Sequence, residues 1–345
     1  MKALVLQAPG RLEMADVPRP SPAEDQLLIR TGAAVICTSD LSDIRHNPFG
    51  IRLPMVIGHE GAGTVEAVGA RVEGFAVGDR VATHPVHPCG ACENCRMGMG
   101  HLCSEMGHFG LNMPGTFAEH YVVRADRARK VRPDIEWPVA ALAEPVSVCL
   151  EALAQAGVGA GGRLLVIGDG PFGVLIARLA VRLDLAKVVV AGRHDFRLGF
   201  ARGATCVNTR TLGTDPLQAL RDASGRSSGC DAVIAAAGSP DAVHEGLALL
   251  RPKGRLVLFS AVPGTTPVDL FDVHVRELEI VGACNDQERF DEAVALLDDP
   301  SLALGELITH RLPMRDHREA FRLAAEGREE AMKVAILPEP EGTYR

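Results

Sequence analysis

The stretch that decides the fold of half the chain runs Arg163-Leu164-Leu165-Val166-Ile167-Gly168-Asp169-Gly170-Pro171-Phe172-Gly173. Arg163–Ile167 is a short, unbroken apolar run, the pattern of a strand covered on both faces in a parallel sheet. The turn that follows opens a helical stretch, Phe172–Leu183. That setting makes G-x-G-x-x-G a dinucleotide-binding signature rather than a loose glycine loop. Gly168 permits the tight turn, Gly170 lets backbone approach a pyrophosphate, and Gly173 allows close helix–strand packing. Pro171 and Phe172 complete the cradle, whose phosphates sit on amides at the helix N-terminus.

The next strand, Lys187–Ala191, runs into Gly192-Arg193-His194-Asp195-Phe196-Arg197. An NAD site calls for an acid at the strand end, to bond the ribose hydroxyls. Gly192 stands there instead, and Arg193 and Arg197 can supply charge-assisted donors to a 2′-phosphate. The reading favours NADP over NAD. Asp195, taking the ribose in a shifted register, is the alternative.

Outward from this turn the rhythm continues. Strand runs at Asp231–Ala236, Arg255–Ser260 and Glu279–Gly282 alternate with helical stretches Asp241–Leu250 and Arg289–Leu297, which means a doubly wound α/β domain. The first 130 residues differ. Lys2–Leu6, Gln26–Ala34, Glu60–Val68, Arg80–Ala82 and Ala118–Val123 read as short strands separated by Gly, Pro and Asp, as in a small barrel. After Pro138 the Ala- and Leu-rich run Val139–Gln155 reads as helix. Residues 300–345 return to mixed short elements, ending in a Pro- and Glu-rich tail expected to fray.

Composition narrows the function. The 345 residues are 47% hydrophobic and 23% charged, with 36 Lys plus Arg against 44 Asp plus Glu, a net charge of −8. An acidic chain without basic runs is a poor partner for nucleic acid or an anionic membrane. Its uninterrupted apolar runs are far short of the ~20 residues that span a bilayer, and the N-terminal run is too short for a signal peptide. The cytoplasm is the expected setting. Of nine cysteines, Cys89, Cys92, Cys95 and Cys103 fall within 15 residues, a spacing suited to metal rather than disulfides. Four thiolates close the coordination of zinc, so such a site is structural, and metal supplies the folding energy of a Gly-rich loop.

Cys37, His59, Glu60 and Glu144 are individually unremarked: a free Cys, a loop His and two carboxylates. Taken with their neighbours, however, six motifs recur in order. They are Cys-Thr-Ser-Asp (37–40), Gly-His-Glu-Gly-Ala-Gly (58–63), Val-Gly-Asp-Arg-Val (77–81), the four-Cys lobe (89–103), Glu-Pro-Val-Ser-Val (144–148) and the glycine turn (168–173). On these the chain resembles the zinc-containing medium-chain dehydrogenase/reductase family, close to its polyol (sorbitol-type) and threonine dehydrogenase branches. The resemblance implies a chaperonin-10-like (GroES-like) β-barrel catalytic domain over 1–148 and 286–345, and a Rossmann domain over 149–285.

It also implies two zinc ions per chain, one structural in the lobe and one catalytic on Cys37 and His59, with Glu60 adjacent. Glu144 stands where alcohol dehydrogenases of the family carry Cys and polyol dehydrogenases carry Glu. Coordination by both Glu60 and Glu144 makes the site net negative, so one is expected to be labile or bonded through water. An open zinc site polarises an alcohol hydroxyl; hydride passes to the nicotinamide, and Ser39 takes the proton. Ser42 replaces the His that many relatives use to finish that relay.

The implied substrate is a small alcohol or its ketone. Gly282-Ala283 replaces the Arg–Tyr pair of sorbitol-type enzymes, while Asp43, His108 and Asn285 suggest a polar molecule: a polyol, sugar, cyclitol or amino alcohol. Other readings are an NAD-dependent threonine or simple secondary alcohol dehydrogenase, a zinc-free enone reductase, and a non-catalytic zinc or nucleotide sensor. Relatives assemble through the Rossmann sheet edge, near Glu277–Cys284 here, which implies a homodimer or homotetramer.

Overall fold

The computed structural model describes residues 1–339; the last residues of the Pro- and Glu-rich tail lie outside them. The chain divides into two compact units, Met1–Ser147 with the segment from Gln287 on, and Val148–Asp286.

In the first unit the backbone of the barrel is the ten-residue strand Gln26–Val35. Its first half pairs with His120–Arg124, and along its length it pairs antiparallel with Glu60–Val68. The sheet runs Ala128–Lys130, Arg80–Thr83, Glu60–Val68, Gln26–Val35, Lys333–Leu337, Ile308–Pro313. Residues from both ends of the chain thus share one sheet, with Ala335 opposite Val35. A second sheet of Arg11–Asp16, Lys2–Ala8 and Met55–Val56 flanks it. Leu27, Ile29, Val65, Val81, Phe109, Tyr121 and Val123 fill one core, and Leu4, Leu6, Ile36, Ile57, Phe117, Met314 and Ile336 another. This is the GroES-like barrel.

The second unit is a six-stranded parallel sheet in the order Thr205–Asn208, Lys187–Gly192, Arg163–Ile167, Cys230–Ala235, Leu250–Leu258, Glu279–Gly282. In chain order that is 3-2-1-4-5-6, the Rossmann arrangement, with the topological switch beside the glycine turn. Gly173 is required there, because a Cβ would lie 2.0 Å from the carbonyl oxygen of Gly168.

Two differences from the sequence reading have clear causes. The expected helix Val139–Gln155 is two helices, Trp137–Ala141 and Ala143–Ala156. Pro145 lacks an amide donor and its ring crowds the carbonyl four residues back, so the helix breaks at Leu142. Together they span the 20 residues Trp137–Ala156, apolar enough on average and long enough to cross a membrane by length and composition alone, where no such stretch was expected. They are mostly buried within the fold and serve as core helices. The helix Thr38–His46 was not read at all. Its buried residues are Asp40 and Asp43, the reverse of an amphipathic pattern.

Gly58 directs the chain into the next residues of the site. Its φ is +96°, and a Cβ would come within 2.6 Å of the Phe117 ring. Gly58→Ala combines a left-handed backbone penalty with overpacking, and is expected to cost about 2–4 kcal/mol. A fall in the urea unfolding midpoint of the purified variant checks this.

Candidate metal centres and nucleotide cradle

The lobe cysteines converge. The ligand atoms of Cys89, Cys92, Cys95 and Cys103 all lie within 4.8 Å of one another. Cys92 Sγ is 3.8 Å from Cys103 Sγ, and Cys89 Sγ is 4.0 Å from Cys95 Sγ. Tetrahedral ZnS4 with ~2.3 Å bonds requires sulfur separations of ~3.8 Å, so the set fits. Backbone amides already aim at the sulfurs: Ala91 and Cys92 donate to Cys89, and Cys95 donates to Cys92. These bonds lower the Cys89 thiol and bring Cys92 down to about 5. Cys95 is pushed up to about 12 by desolvation and by its crowded neighbours. Four sulfurs so placed cannot all ionise without a cation.

The second cluster is Cys37, His59 and Glu60, with ligand atoms mutually within 4.8 Å. Cys37 opens the helix Thr38–His46, and His59-Glu60 lead into the strand Glu60–Val68. Asp40, buried on the same helix, fixes both donors: Oδ2 accepts from the Cys37 amide at 2.9 Å, and Oδ1 lies 3.3 Å from His59 Nδ1. Nδ1 therefore donates to Asp40, which turns Nε2 and its lone pair inward, the orientation of a metal-ligating imidazole with a carboxylate behind it. Ser39 Oγ lies 3.5 Å from that Nε2. Burial drives the Cys37 thiol up, as does Glu60, against the opposing pull of His59 and Lys333. Burial pulls His59 down, but Asp40 and Cys37 outweigh it and the imidazole is raised well above its ordinary value. A thiol and an imidazole locked together in this way share a proton that a dication displaces.

Glu60 is fully buried, and both of its oxygens accept from Lys333 Nζ, at 2.6 and 2.5 Å. Desolvation would lower Lys333, yet Glu60 first, then Cys37 and Glu144, leave it raised. Glu144 sits in the first turn of Ala143–Ala156, almost buried, near enough for its charge to act on Lys333 but outside the 4.8 Å set. The sequence reading missed Lys333; nothing local to it points to Glu60, 273 residues away.

At the glycine turn, a Cβ on Gly170 would meet open space, as a cradle for phosphate requires. Asp169, passed over as a variable position of the motif, proves central. Its Oδ2 accepts from the amides of Arg193 and His194 at 2.5 and 2.7 Å, and from His194 Nδ1 at 3.0 Å. His194 Nε2 in turn faces Arg210 Nη2 at 3.4 Å. The Asp169 side chain fills the space beside Gly192, where a Cβ would come within 2.4 Å of it. No acid can stand at the strand end without displacing Asp169. Arg193 is exposed and Arg197 half-buried.

Comparison with known proteins matches two families to successive parts of the chain. Residues 23–133 match the family model of the alcohol dehydrogenase GroES-like domain, and residues 171–299 that of zinc-binding dehydrogenase. The chain is 32% identical over 335 residues to L-threonine 3-dehydrogenase of Anaeromyxobacter dehalogenans (strain 2CP-C), covering 95% of this chain and 96% of that one. A zinc-binding dehydrogenase from Sinorhizobium meliloti 1021 bound to NADP has a similar structure, with a TM-score of 0.92 at 26% identity, covering 98% and 99% of the two chains. A short chain alcohol dehydrogenase from E. coli CFT073 complexed with NADH gives a TM-score of 0.90 at 29% identity, with the same coverage.

The Lys333–Glu60 pair generates a stability test. Lys333→Met strands a buried carboxylate and is expected to cost about 3–5 kcal/mol. Adding Glu60→Gln removes the stranded charge and recovers most of that loss. Chemical denaturation of the two variants beside the parent chain measures both effects.

Proposed function

The chain belongs to the zinc-containing medium-chain dehydrogenase/reductase family, and from that premise we propose that it oxidises a polar secondary alcohol to a ketone with NADP. The observation that carries this reading is the convergence of Cys37, His59 and Glu60, backed by Asp40 and Lys333, in a buried site. Thiolate sulfur and imidazole are donors that suit zinc, and the Glu144 carboxylate is close enough for its charge to act on Lys333 beside them. Cys37 and His59 would hold the catalytic ion with Glu144 as the further ligand, and the four lobe cysteines a second, structural ion. Zinc in such a site supplies Lewis-acid polarisation of the substrate oxygen, and NADP supplies the hydride acceptor.

The chain's own residues do the rest. Asp40 holds the His59 tautomer and the start of the Cys37 helix. Lys333 engages both oxygens of Glu60, so Glu60 shapes the field as a neutralised neighbour rather than as a direct ligand. Ser39, whose hydroxyl lies 3.5 Å from His59 Nε2, is placed to take the alcohol proton. Ser42 Oγ instead points to the Thr38 carbonyl, 3.5 Å away, and adds no second relay group.

NADP is favoured because Gly192 cannot carry an acid and Asp169 is already engaged by the 193–194 backbone. That clamp fixes the loop from which Arg193 projects. None of the nine cysteines is paired in a disulfide, which fits a reducing setting, and the cytoplasm is proposed. Assembly of identical chains is proposed through the edge strand Glu279–Gly282 and the exposed Leu270, Phe271 and Val275 beside it in sequence.

Metal analysis and an alcohol panel test the reading together. About two zinc per chain with turnover of polar secondary alcohols is expected. One zinc without turnover would favour the sensor reading, and none the enone reductase. Arg193→Asp is expected to raise KM for NADP about tenfold or more while leaving NAD within about twofold, since a charge-assisted bond is exchanged for a repulsion. Steady-state kinetics with both cofactors reads this directly.

A further inference from the structure

A second glycine-rich turn, Gly157-Val158-Gly159-Ala160-Gly161-Gly162, joins the helix Ala143–Ala156 to the strand Arg163–Ile167. It lines a cavity of about 280 Å³, whose other walls are Arg226, Asp231, Arg251, Lys253, Arg255 and Glu279. Every lining residue falls within Val148–Asp286, so the cavity is complete in one unit. It is separate from the pyrophosphate cradle. The two turns stand at opposite ends of the five-residue strand Arg163–Ile167, about 16 Å apart.

Asp231 anchors one wall. Its Oδ2 accepts from the Arg163 amide at 2.7 Å and from Arg226 Nη1 at 3.1 Å, and its Oδ1 accepts from Arg251 Nε at 2.7 Å. Burial alone would raise this carboxyl, but Arg251, the Arg163 amide and Arg226 hold it below its ordinary value. One carboxylate therefore serves two guanidinium groups and cannot neutralise both. Arg226 Nε and Nη2 and Arg251 Nη2 have no hydrogen-bond partner among the described residues. The other two cations are spent. Arg255 bonds Glu279 and the Gln155 carbonyl, and Lys253 pairs with Glu277.

The turn adds main-chain donors to the same cavity. The amides of Gly157, Gly161 and Gly162 donate to the carbonyls of Leu153, Asp184 and Gly159. Those of Val158, Gly159 and Ala160, three in succession, donate to no group among the described residues. A Cβ on Gly159 or Gly161 would meet open space, so a ligand can approach the main chain here. The helix Ala143–Ala156 brings its negative end to this place, and Arg255 offsets it by bonding Gln155. Unspent guanidinium and amide donors beside an excess positive charge call for an anion with several acceptor oxygens. The volume lies at the lower bound for ligand sites, about 300 Å³, so that anion is small.

We propose that this cavity is an anion site, distinct from the nucleotide cradle, that takes a phosphate group through Arg226, Arg251 and the amides of residues 158–160. The phosphate is either the free ion or the headgroup of a small monoester. The assignment stands on the Rossmann unit and is independent of which alcohol the chain oxidises.

Isothermal titration calorimetry of the purified holoenzyme with inorganic phosphate and with methyl phosphate tests this. Ionic strength is held fixed and NADP is saturating, so that the cradle is filled. One-to-one binding of at least one probe is expected, with none when chloride replaces it. Arg226→Gln leaves Asp231 two of its three donors. Gly159→Glu sets a carboxylate where the backbone is not left-handed and a side chain meets open space. Each variant should weaken binding about tenfold, the effect of one bond to a charged group. Tighter binding of methyl phosphate than of inorganic phosphate makes the ligand a monoester, and the reverse makes it the free ion. A parent chain that binds neither probe overturns the site even if a variant fails to fold. Unchanged affinity in both folded variants overturns it too, as does binding seen only without NADP, which would put the anion in the cradle.

Discussion

A fully buried carboxylate has to be neutralised, and here the neutralising cation comes from the other end of the chain. Glu60 at the start of Glu60–Val68 is held by Lys333 at the start of Lys333–Leu337. The cost of burying either ion alone is several kcal/mol, so the barrel sheet is at ease only when both strands are in place. Lys333–Leu337 pairs with Gln26–Val35, and Val334 accepts from the Ile36 amide, one residue before Cys37. The same strand that supplies the counter-ion therefore fixes the backbone leading into the thiol. Other ion pairs, Arg129–Asp291, Arg132–Asp298 and Arg311–Glu136, also join the two parts of the chain that make this unit, but Lys333–Glu60 is the one that is buried.

Carboxylates organise backbone in each of the two units. Asp40 bonds the Cys37 amide and His59 Nδ1, locking a helix start and an imidazole together. Asp169 bonds the Arg193 and His194 amides and His194 Nδ1, locking a strand end and another imidazole. In each case one oxygen or the other accepts a main-chain N–H, so the carboxyl group is spent on positioning rather than on a ligand. Asp43 is the exception in this pattern, with one oxygen left over.

Legibility in the sequence followed the range of the interactions. Strands of the parallel sheet are covered on both faces and appear as unbroken apolar runs, so Arg163–Ile167 and Lys187–Ala191 were readable to within a residue. The glycine turn and the four-Cys lobe are local and equally plain. Cys37, His59 and Glu144 are scattered, and only resemblance to a family joined them. Lys333 and Asp169 carried no signal: one acts across 273 residues, the other sits at a motif position that tolerates many side chains. The helix Thr38–His46 was hidden because its fully buried residues are acids, with only Leu41 and Ile44 packing partly against the core. The break at Leu142 could have been read from Pro145.

The most direct test of the account is X-ray absorption at the zinc edge, combined with metal content per chain. A one-sulfur site on Cys37 beside a four-sulfur lobe predicts a mean of about 2.5 sulfur ligands per zinc, with nitrogen and oxygen making up the rest. A mean of about four sulfurs, with a single zinc per chain, would mean that Cys37 and His59 hold no metal, and would contradict it.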